Sequence, residues 1–151
     1  MQALNLPEAD FRMRDFGGKK EIFDGIRKKF IALTPEEWVR QHFVAYLVKS
    51  KNVPASLIGI EVSIKMNRLQ KRGDIVVYNK SGKPCMIIEC KAPEICITQD
   101  VFEQVARYNM TLNVNYLVVT NGLVHFACFI DHEKSDYQFL KEIPDFIEMQ
   151  E

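Results

Sequence analysis

The chain has 151 residues, a net charge of zero, 47% hydrophobic residues and 26% charged residues. These values are ordinary for one globular domain, and they exclude a disordered chain, a collagen-like repeat and a disulfide scaffold. No apolar run approaches the roughly 20 residues that cross a bilayer, so we expect no membrane span.

The cysteines and the first residues of the chain bear on its compartment. Four cysteines are present, and none of them forms a C-x-x-C pair, which disfavours a structural zinc site. The N-terminus carries charges early and has no continuous apolar region, so it does not resemble a signal peptide. We therefore expect reduced thiols and a cytoplasmic location.

Charge is distributed unevenly along the chain. Residues 1–91 contain 17 Lys/Arg and 10 Asp/Glu, whereas residues 92–151 contain 3 Lys/Arg and 10 Asp/Glu. This asymmetry is compatible with a basic face that binds a polyanion, although charges clustered in sequence often disperse in space.

The first third of the chain predicts one clear element, a helix. Residues 1–20 read as a loose lead-in with room for a short strand, and the uneven pattern of residues 21–33 leaves their structure open. Thr34 is placed to cap a helix, Pro35 suits its first turn, and Glu37 is placed to complete a capping box. The helix should run to about residue 49.

Strands dominate the middle of the chain. Alternating apolar residues predict a strand over 57–64, and residues 65–71 form a basic connector. A short strand over 74–78 and a more apolar strand over 85–91 are separated by a turn at 79–83.

The last third predicts a second helix and a second hairpin. Thr98 or Asp100 can cap a helix over 101–110. An apolar strand over 116–120 leads through an Asn-Gly turn to a strand over 123–130. The element order is therefore α-β-β-β-α-β-β, which indicates an α/β fold with a mixed sheet.

Three charged residues at the second and third strands form the constellation most relevant to function. If residues 80–83 make a four-residue loop, Asp74 lies directly opposite Glu89, and their Cβ atoms are about 5 Å apart. Lys91 projects to the same face because it follows Glu89 by two residues. A slip of one residue in register would separate them.

Two adjacent carboxylates repel each other unless a cation lies between them. Mg²⁺ prefers such oxygen ligands, lowers the pKa of its bound water and offsets charge on a transferring phosphoryl group. A neighbouring lysine can stabilise the transition-state charge. The alternative is an ordinary salt bridge on an exposed strand. We favour a site because Glu89 and Lys91 end an apolar run, where charges without partner or function are costly.

At these residues the sequence resembles a family. Residues 72–77 (Arg-Gly-Asp-Ile-Val-Val) and 87–93 (Ile-Ile-Glu-Cys-Lys-Ala-Pro) resemble the PD-(D/E)XK nuclease superfamily, and more narrowly the N-terminal nuclease domain of type I restriction enzyme R subunits. Residues 33–41 and the Gln-x-x-x-Tyr spacing of Gln104 and Tyr108 are similar to that group too. Gly73 stands where the superfamily often has proline.

The resemblance implies a restriction-endonuclease-like core, with a mixed sheet of about five strands flanked by helices, over residues 21–135. Residues 1–20 would then be an N-terminal lead-in, and residues 136–151 an acidic segment docking on the domain. It also implies a Mg²⁺-dependent DNA endonuclease, with Mn²⁺ able to substitute. Asp74 and Glu89 would bind the metal with the backbone carbonyl of Cys90, and Lys91 would be the catalytic lysine.

Further residues are candidates for the same site. Glu61 is a candidate metal ligand or a solvent-facing strand residue, with neither favoured. For DNA phosphates the candidates on the basic connector are Lys65, Arg68, Lys71 and Arg72, for which a solvated loop is an equal alternative. Gln104 and Tyr108 lie one helical turn apart and would line the site or touch DNA.

Two functional hypotheses follow. The first is a Mg²⁺-dependent endonuclease that hydrolyses phosphodiester bonds in DNA. The second is a catalytically silent nuclease fold that binds DNA or assembles with partners, because the chain contains no P-loop and any motor or specificity subunit would come from other chains.

Overall fold

The computed structural model describes residues 1–66 and 68–150, and for Met66, Leu69 and Tyr108 it describes the backbone only. Two sheets and two α-helices make up the fold. The elements in chain order are β1 (Met13–Phe16), β2 (Lys19–Asp24), β3 (Lys29–Ala32), α1 (Pro35–Ser50), β4 (Ile58–Met66), β5 (Leu69–Tyr78), β6 (Pro84–Cys90), α2 (Gln99–Asn109), β7 (Tyr116–Thr120), β8 (His125–Asp131) and β9 (Asp136–Leu140).

The N-terminal region forms a small antiparallel sheet of strands β1, β2 and β3. β1 and β2 are joined by Gly17 and Gly18, whose φ angles of 60° and 82° suit a two-residue hairpin turn. The loose lead-in expected for residues 1–20 therefore contains one strand and the start of another. Residues before β1 also make specific bonds, since the Trp38 indole donates to the Gln2 carbonyl at 2.8 Å.

The second sheet has six strands in the order β4-β5-β6-β7-β8-β9, and its pairs are antiparallel except for the parallel pair β6–β7. The predicted α/β class with a mixed sheet is confirmed. The sheet is one strand larger than expected because residues 136–140 of the acidic segment pair with β8. The basic connector predicted over 65–71 is instead mostly strand, since β4 and β5 extend towards each other as a hairpin.

The two helices cover opposite faces of the large sheet. Phe43 and Leu47 of α1 belong to one core cluster with Ile75 and Ile88. A second cluster contains Phe102 of α2 together with sheet residues of the other face, among them Ile87, Leu117 and Val119. Neighbouring residues of β6 thus belong to different clusters, as expected for a central strand buried on both faces.

Both helices begin at the predicted caps. The Thr34 hydroxyl accepts a hydrogen bond from the Glu37 backbone N–H at 3.1 Å, and the Thr98 hydroxyl accepts one from Val101 at 3.2 Å. Glu37 makes no bond back to the cap, because its carboxylate pairs with Arg40 instead. Among the described residues, neither helix is long and apolar enough to cross a membrane.

The C-terminal segment packs on the α1 face of the sheet. Ile143, Phe146 and Met149 are buried in the cluster that contains α1. The Phe146 backbone N–H donates to the Lys51 carbonyl at 2.9 Å, which ties the segment to the end of α1. A capped 3₁₀ helix, Phe146–Met149, presents the last two of these side chains.

Candidate functional site

The β5–β6 hairpin brings the predicted pair of carboxylates together. The register pairs Ile75 with Ile88, and its continuation places Asp74 opposite Glu89. Near the turn the prediction is wrong by one residue, because Tyr78 pairs with Pro84 after an irregularity between Val77 and Tyr78. The connection therefore has five residues, 79–83, and the irregularity restores the expected register at Asp74.

Asp74 is half-buried and its side chain has a defined backbone partner. Its Oδ2 atom accepts a hydrogen bond from the Cys90 backbone N–H at 2.7 Å. Burial, together with the charge of Glu89, raises the pKa of Asp74, and the Cys90 N–H and the positive charges of Lys91 and Lys71 offset part of that rise. The Asp74 carboxylate therefore lies within electrostatic reach of Glu89 and of two lysines.

Glu89 is held by a lysine that the sequence assigned to DNA contact. The Lys71 ammonium forms an ion pair with Glu89 Oε1, and both side chains are largely buried. In this arrangement the Lys71 ammonium occupies one side of the carboxylate pair, where it offsets the repulsion between Asp74 and Glu89. A metal ion bound between the carboxylates would share or replace this contact.

Glu36, in the first turn of α1, is a neighbour that the sequence reasoning treated only as part of a helix start. Burial and the charge of Asp74 raise the pKa of Glu36, whereas the charge of Lys91 lowers it. The start of α1 therefore lies within electrostatic reach of Asp74 and Lys91. An acidic residue in the first helical turn favours helix formation on its own, so the sequence contained no separate signal for this proximity.

Glu61 lies in the row of Asp74 and Glu89 but is directed elsewhere. The pairs Ile60–Ile75 and Val62–Gly73 place Glu61 opposite Asp74, but Glu61 has a φ of 53° and is not paired in the ladder. Its Oε2 accepts from Arg72 at 2.5 Å and from Arg27 at 3.4 Å. Glu61, a candidate metal ligand from the sequence, therefore forms ion pairs with two arginines.

A buried ion cluster connects Glu61 to the small sheet and to α1. Asp24 is fully buried, and its Oδ2 accepts from Arg27 at 2.7 Å and from Arg40 at 2.8 Å. Burial raises the pKa of Asp24, but the hydrogen bonds from Arg27 and the charge of Arg40 outweigh burial and hold it below its ordinary value. Arg40 also pairs with Glu37.

The other residues predicted to contact DNA lie at several places in the structure. Lys65 and Arg68 are exposed near the end of the β4–β5 hairpin. Arg72 and Lys71 have the carboxylate partners described above, so they are not simply solvated. Gln104 is exposed on α2, whereas the side chain of Tyr108 lies outside the described part of the structure.

Asp74 and Glu89 are suited to binding a cation, although they would supply only part of its coordination shell. Within the described residues, no three His, Cys, Asp or Glu side chains converge into a metal-binding group. Mg²⁺ commonly takes only one or two carboxylates and keeps several waters. Asp74 and Glu89 meet that requirement, and burial that raises the pKa of Asp74 also makes a nearby cation favourable.

The chain matches a family of known proteins. The family model described as type I restriction enzyme R protein N terminus matches residues 35–144, which is more than half of the chain. The chain belongs to this family. The matched stretch of the R protein N terminus begins with α1 and ends beyond β9, so it contains Asp74, Glu89 and Lys91 and leaves out the small sheet.

A solved structure has a similar fold. It is a fragment of a putative HsdR subunit of a type I restriction enzyme from Vibrio vulnificus YJ016, with a TM-score of 0.51 and 20% sequence identity. The likeness covers 79% of this chain and 25% of that chain, so this R protein N-terminal chain spans about a quarter of its neighbour. At that identity the likeness concerns the fold alone. No curated protein matches the chain.

Proposed function

We propose that this chain is a Mg²⁺-dependent DNA endonuclease domain of the PD-(D/E)XK kind, which hydrolyses phosphodiester bonds within a type I restriction system. The observation that carries the proposal is the position of Asp74 opposite Glu89, with Lys91 close enough to influence the pKa of Asp74. Family membership supports the restriction context.

Each residue of the candidate site would have its own role in hydrolysis. Asp74 and Glu89, with the Cys90 carbonyl, would hold Mg²⁺, and Mn²⁺ would substitute for it. The bound ion would supply a water of lowered pKa and offset charge on phosphate. Lys91 would orient the attacking water and stabilise negative charge developing on the phosphoryl oxygens. Lys71 would exchange its contact with Glu89 for one with DNA phosphate.

The remaining predicted contacts belong to the same proposal. Glu61 would join the metal site only by releasing Arg72 and Arg27, which would free both guanidinium groups for phosphate. Lys65, Arg68 and Gln104 are exposed and would touch the DNA backbone. A motor and specificity subunits would be supplied by other chains or by regions beyond this one.

One observation favours a second candidate, a catalytically silent nuclease fold that binds DNA or assembles with partners. The Lys71–Glu89 ion pair already neutralises one carboxylate, as a retained but inactive site would require. In that case DNA binding would persist and metal-dependent cutting would be absent.

Plasmid nicking in the presence of Mg²⁺ or Mn²⁺ separates the two candidates. We expect the natural sequence to nick supercoiled DNA with either ion, and Asp74→Ala and Lys91→Ala to lose about 10²-fold or more in rate, as expected when a group that stabilises transition-state charge is removed. Lys134→Ala, which changes an exposed lysine in the β8–β9 connection, is the matched control.

Equal nicking by the natural sequence and both site variants would reject the assignment of Asp74 and Lys91. Salt-sensitive binding of duplex DNA without nicking in any metal would establish the silent module instead.

A further inference from the structure

The exposed face of the small sheet carries a ladder of arginine and phenylalanine side chains. The Arg12 guanidinium lies over the Phe23 ring at 4.8 Å and over Phe30 at 5.6 Å from the ring centroids. Arg14 lies over Phe30 at 4.1 Å and over Phe16 at 4.8 Å. We call these five residues the Arg–Phe ladder.

The strand register explains why these side chains share one face. Arg12, Arg14 and Phe16 are two residues apart along the chain, so their side chains project to the same side. Phe23 and Phe30 are directly paired between β2 and β3. On β2, Ile22 and Asp24 flank Phe23, point the other way and are fully buried, whereas the alternate residues of β1, Met13 and Asp15, are exposed. The ladder is therefore the solvent side of the small sheet.

The ladder has the chemistry of a nucleic-acid surface rather than of an apolar protein interface. Residues 11–30 contain seven Lys/Arg and three Asp/Glu. Phe16 is 63% exposed, and Arg12 and Arg14 are exposed as well. A stacked guanidinium presents its edge N–H groups outwards, where they can bind phosphate. Arg14 also contacts an acidic side chain, Glu21, at 2.8 Å.

The small sheet is joined to the candidate site through the face opposite the ladder. Arg27 follows β2 and bridges Asp24 to Glu61, the residue opposite Asp74. Arg40 ties Asp24 to α1, whose first turn lies within electrostatic reach of Asp74 and Lys91. A nucleic-acid strand at the carboxylate pair would therefore have the small sheet as a neighbouring surface.

We propose that the Arg–Phe ladder is a binding surface for single-stranded nucleic acid, with bases stacking on Phe16 and phosphates bound by Arg12 and Arg14. An exposed aromatic ring beside basic groups suits a single strand, because its bases are free to stack, whereas those of a duplex are not. The role of this surface in guiding a strand to Asp74 and Glu89 rests on the proposed nuclease function. Strand binding itself does not depend on it.

The test is fluorescence anisotropy of the whole chain with 5′-labelled dT20, rU20 and a 20-base-pair duplex in EDTA, across a salt series. We expect both single strands to bind more tightly than the duplex. Phe16→Ala and Arg14→Gln should each weaken dT20 binding about fivefold to tenfold. Arg14→Gln should also reduce the salt dependence by about one released ion.

Ile147→Ala and Lys134→Gln change an exposed apolar and an exposed basic residue outside the small sheet, and both should bind dT20 as the natural sequence does. Circular dichroism confirms that each variant is folded. Absence of dT20 binding, equal binding of the duplex, or unchanged affinity in folded Phe16→Ala and Arg14→Gln would overturn the proposal. Because no metal is present, failure of the nuclease proposal would not alter these outcomes.

Discussion

At Asp74, the ionised carboxylate that metal binding would use lowers the stability of the folded protein. Its pKa is raised by burial and by Glu89, so the folded protein holds the ionised form at a cost. The Cys90 N–H and the two lysines reduce that cost without removing it. A divalent cation would reduce that cost further, because its positive charge would offset the repulsion between the Asp74 and Glu89 carboxylates.

The sequence predicted the Asp74–Glu89 pair but could not predict how its neighbours divide their contacts. Strand alternation and turn length are local, so they place two residues opposite each other. The contact of Lys71 with Glu89 depends on the path of a long side chain, and the proximity of Glu36 depends on how α1 packs against the sheet. The positive φ of Glu61 has no signal in its residue type.

Asp24 provides a stability prediction at the same scale. Asp24→Asn would remove the charge that Arg40 and Arg27 share and leave the buried Arg40 paired with Glu37 alone, and we expect a loss of about 3 kcal/mol in the free energy of unfolding. Asp15→Asn, an exposed acid in the same sheet, should change it by less than about 0.5 kcal/mol. Chemical denaturation of both variants measures the difference.

The pH dependence of Asp24 has a definite sign. Its folded-state pKa is below the ordinary value, so its stabilising contribution is present above the unfolded-state pKa and is lost as the pH falls through the folded-state pKa. The stability gap between the natural sequence and Asp24→Asn should therefore narrow in acid. A gap that stays constant down to that pH would contradict the assignment.

At the level of elements, α1, α2 and β6 were predicted closely, whereas the first half of β5 and the small sheet were not. Caps such as Thr34 and Thr98 are local signals, and the structure uses both. Strands β1 and β3 have four residues each, too short for a decisive alternating pattern. The small sheet that contains them is held against α1 by the ion pair between Asp24 of β2 and Arg40, which are far apart in the sequence.

Gly73 lies where the packing of the β5–β6 hairpin leaves little room for a side chain. A Cβ atom at Gly73 would lie 2.9 Å from Val76 Cγ2 and 3.1 Å from Ile87 Cγ2. Val76 and Ile87 are a direct pair across β5 and β6, so their side chains have little room to yield. A side chain at residue 73 would press on the strands that position Asp74 and Glu89.

Gly73→Ala should therefore lower the free energy of unfolding by about 1–3 kcal/mol, the usual cost of overpacking a core. Gly25→Ala is the matched control, since nothing lies within 4 Å of an added Cβ there. Thermal unfolding of both variants measures the effect. Equal stability of Gly73→Ala and the natural sequence would show that Val76 and Ile87 adjust freely.

At the scale of the whole molecule, one sheet places the candidate site and two helices cover its faces. The N-terminal segment contributes the Arg–Phe ladder beside α1, and the C-terminal segment closes the core through Phe146 and Met149. The basic first part of the chain supplies most of the groups proposed to contact nucleic acid. The acidic last part supplies an edge strand and packing, which fits the uneven charge distribution seen in the sequence.

Asp74 and Glu89 are proposed to bind one divalent ion together, and isothermal titration of Mn²⁺ into the protein measures that binding. Asp74→Asn, Glu89→Gln and the control Glu133→Gln, an exposed acid in the β8–β9 connection, are titrated beside the natural sequence. We expect one site in the natural sequence and in Glu133→Gln, with affinity reduced about tenfold or more in each site variant. Absence of Mn²⁺ binding, or an unchanged Mn²⁺ affinity in both Asp74→Asn and Glu89→Gln, would contradict a metal site at these carboxylates.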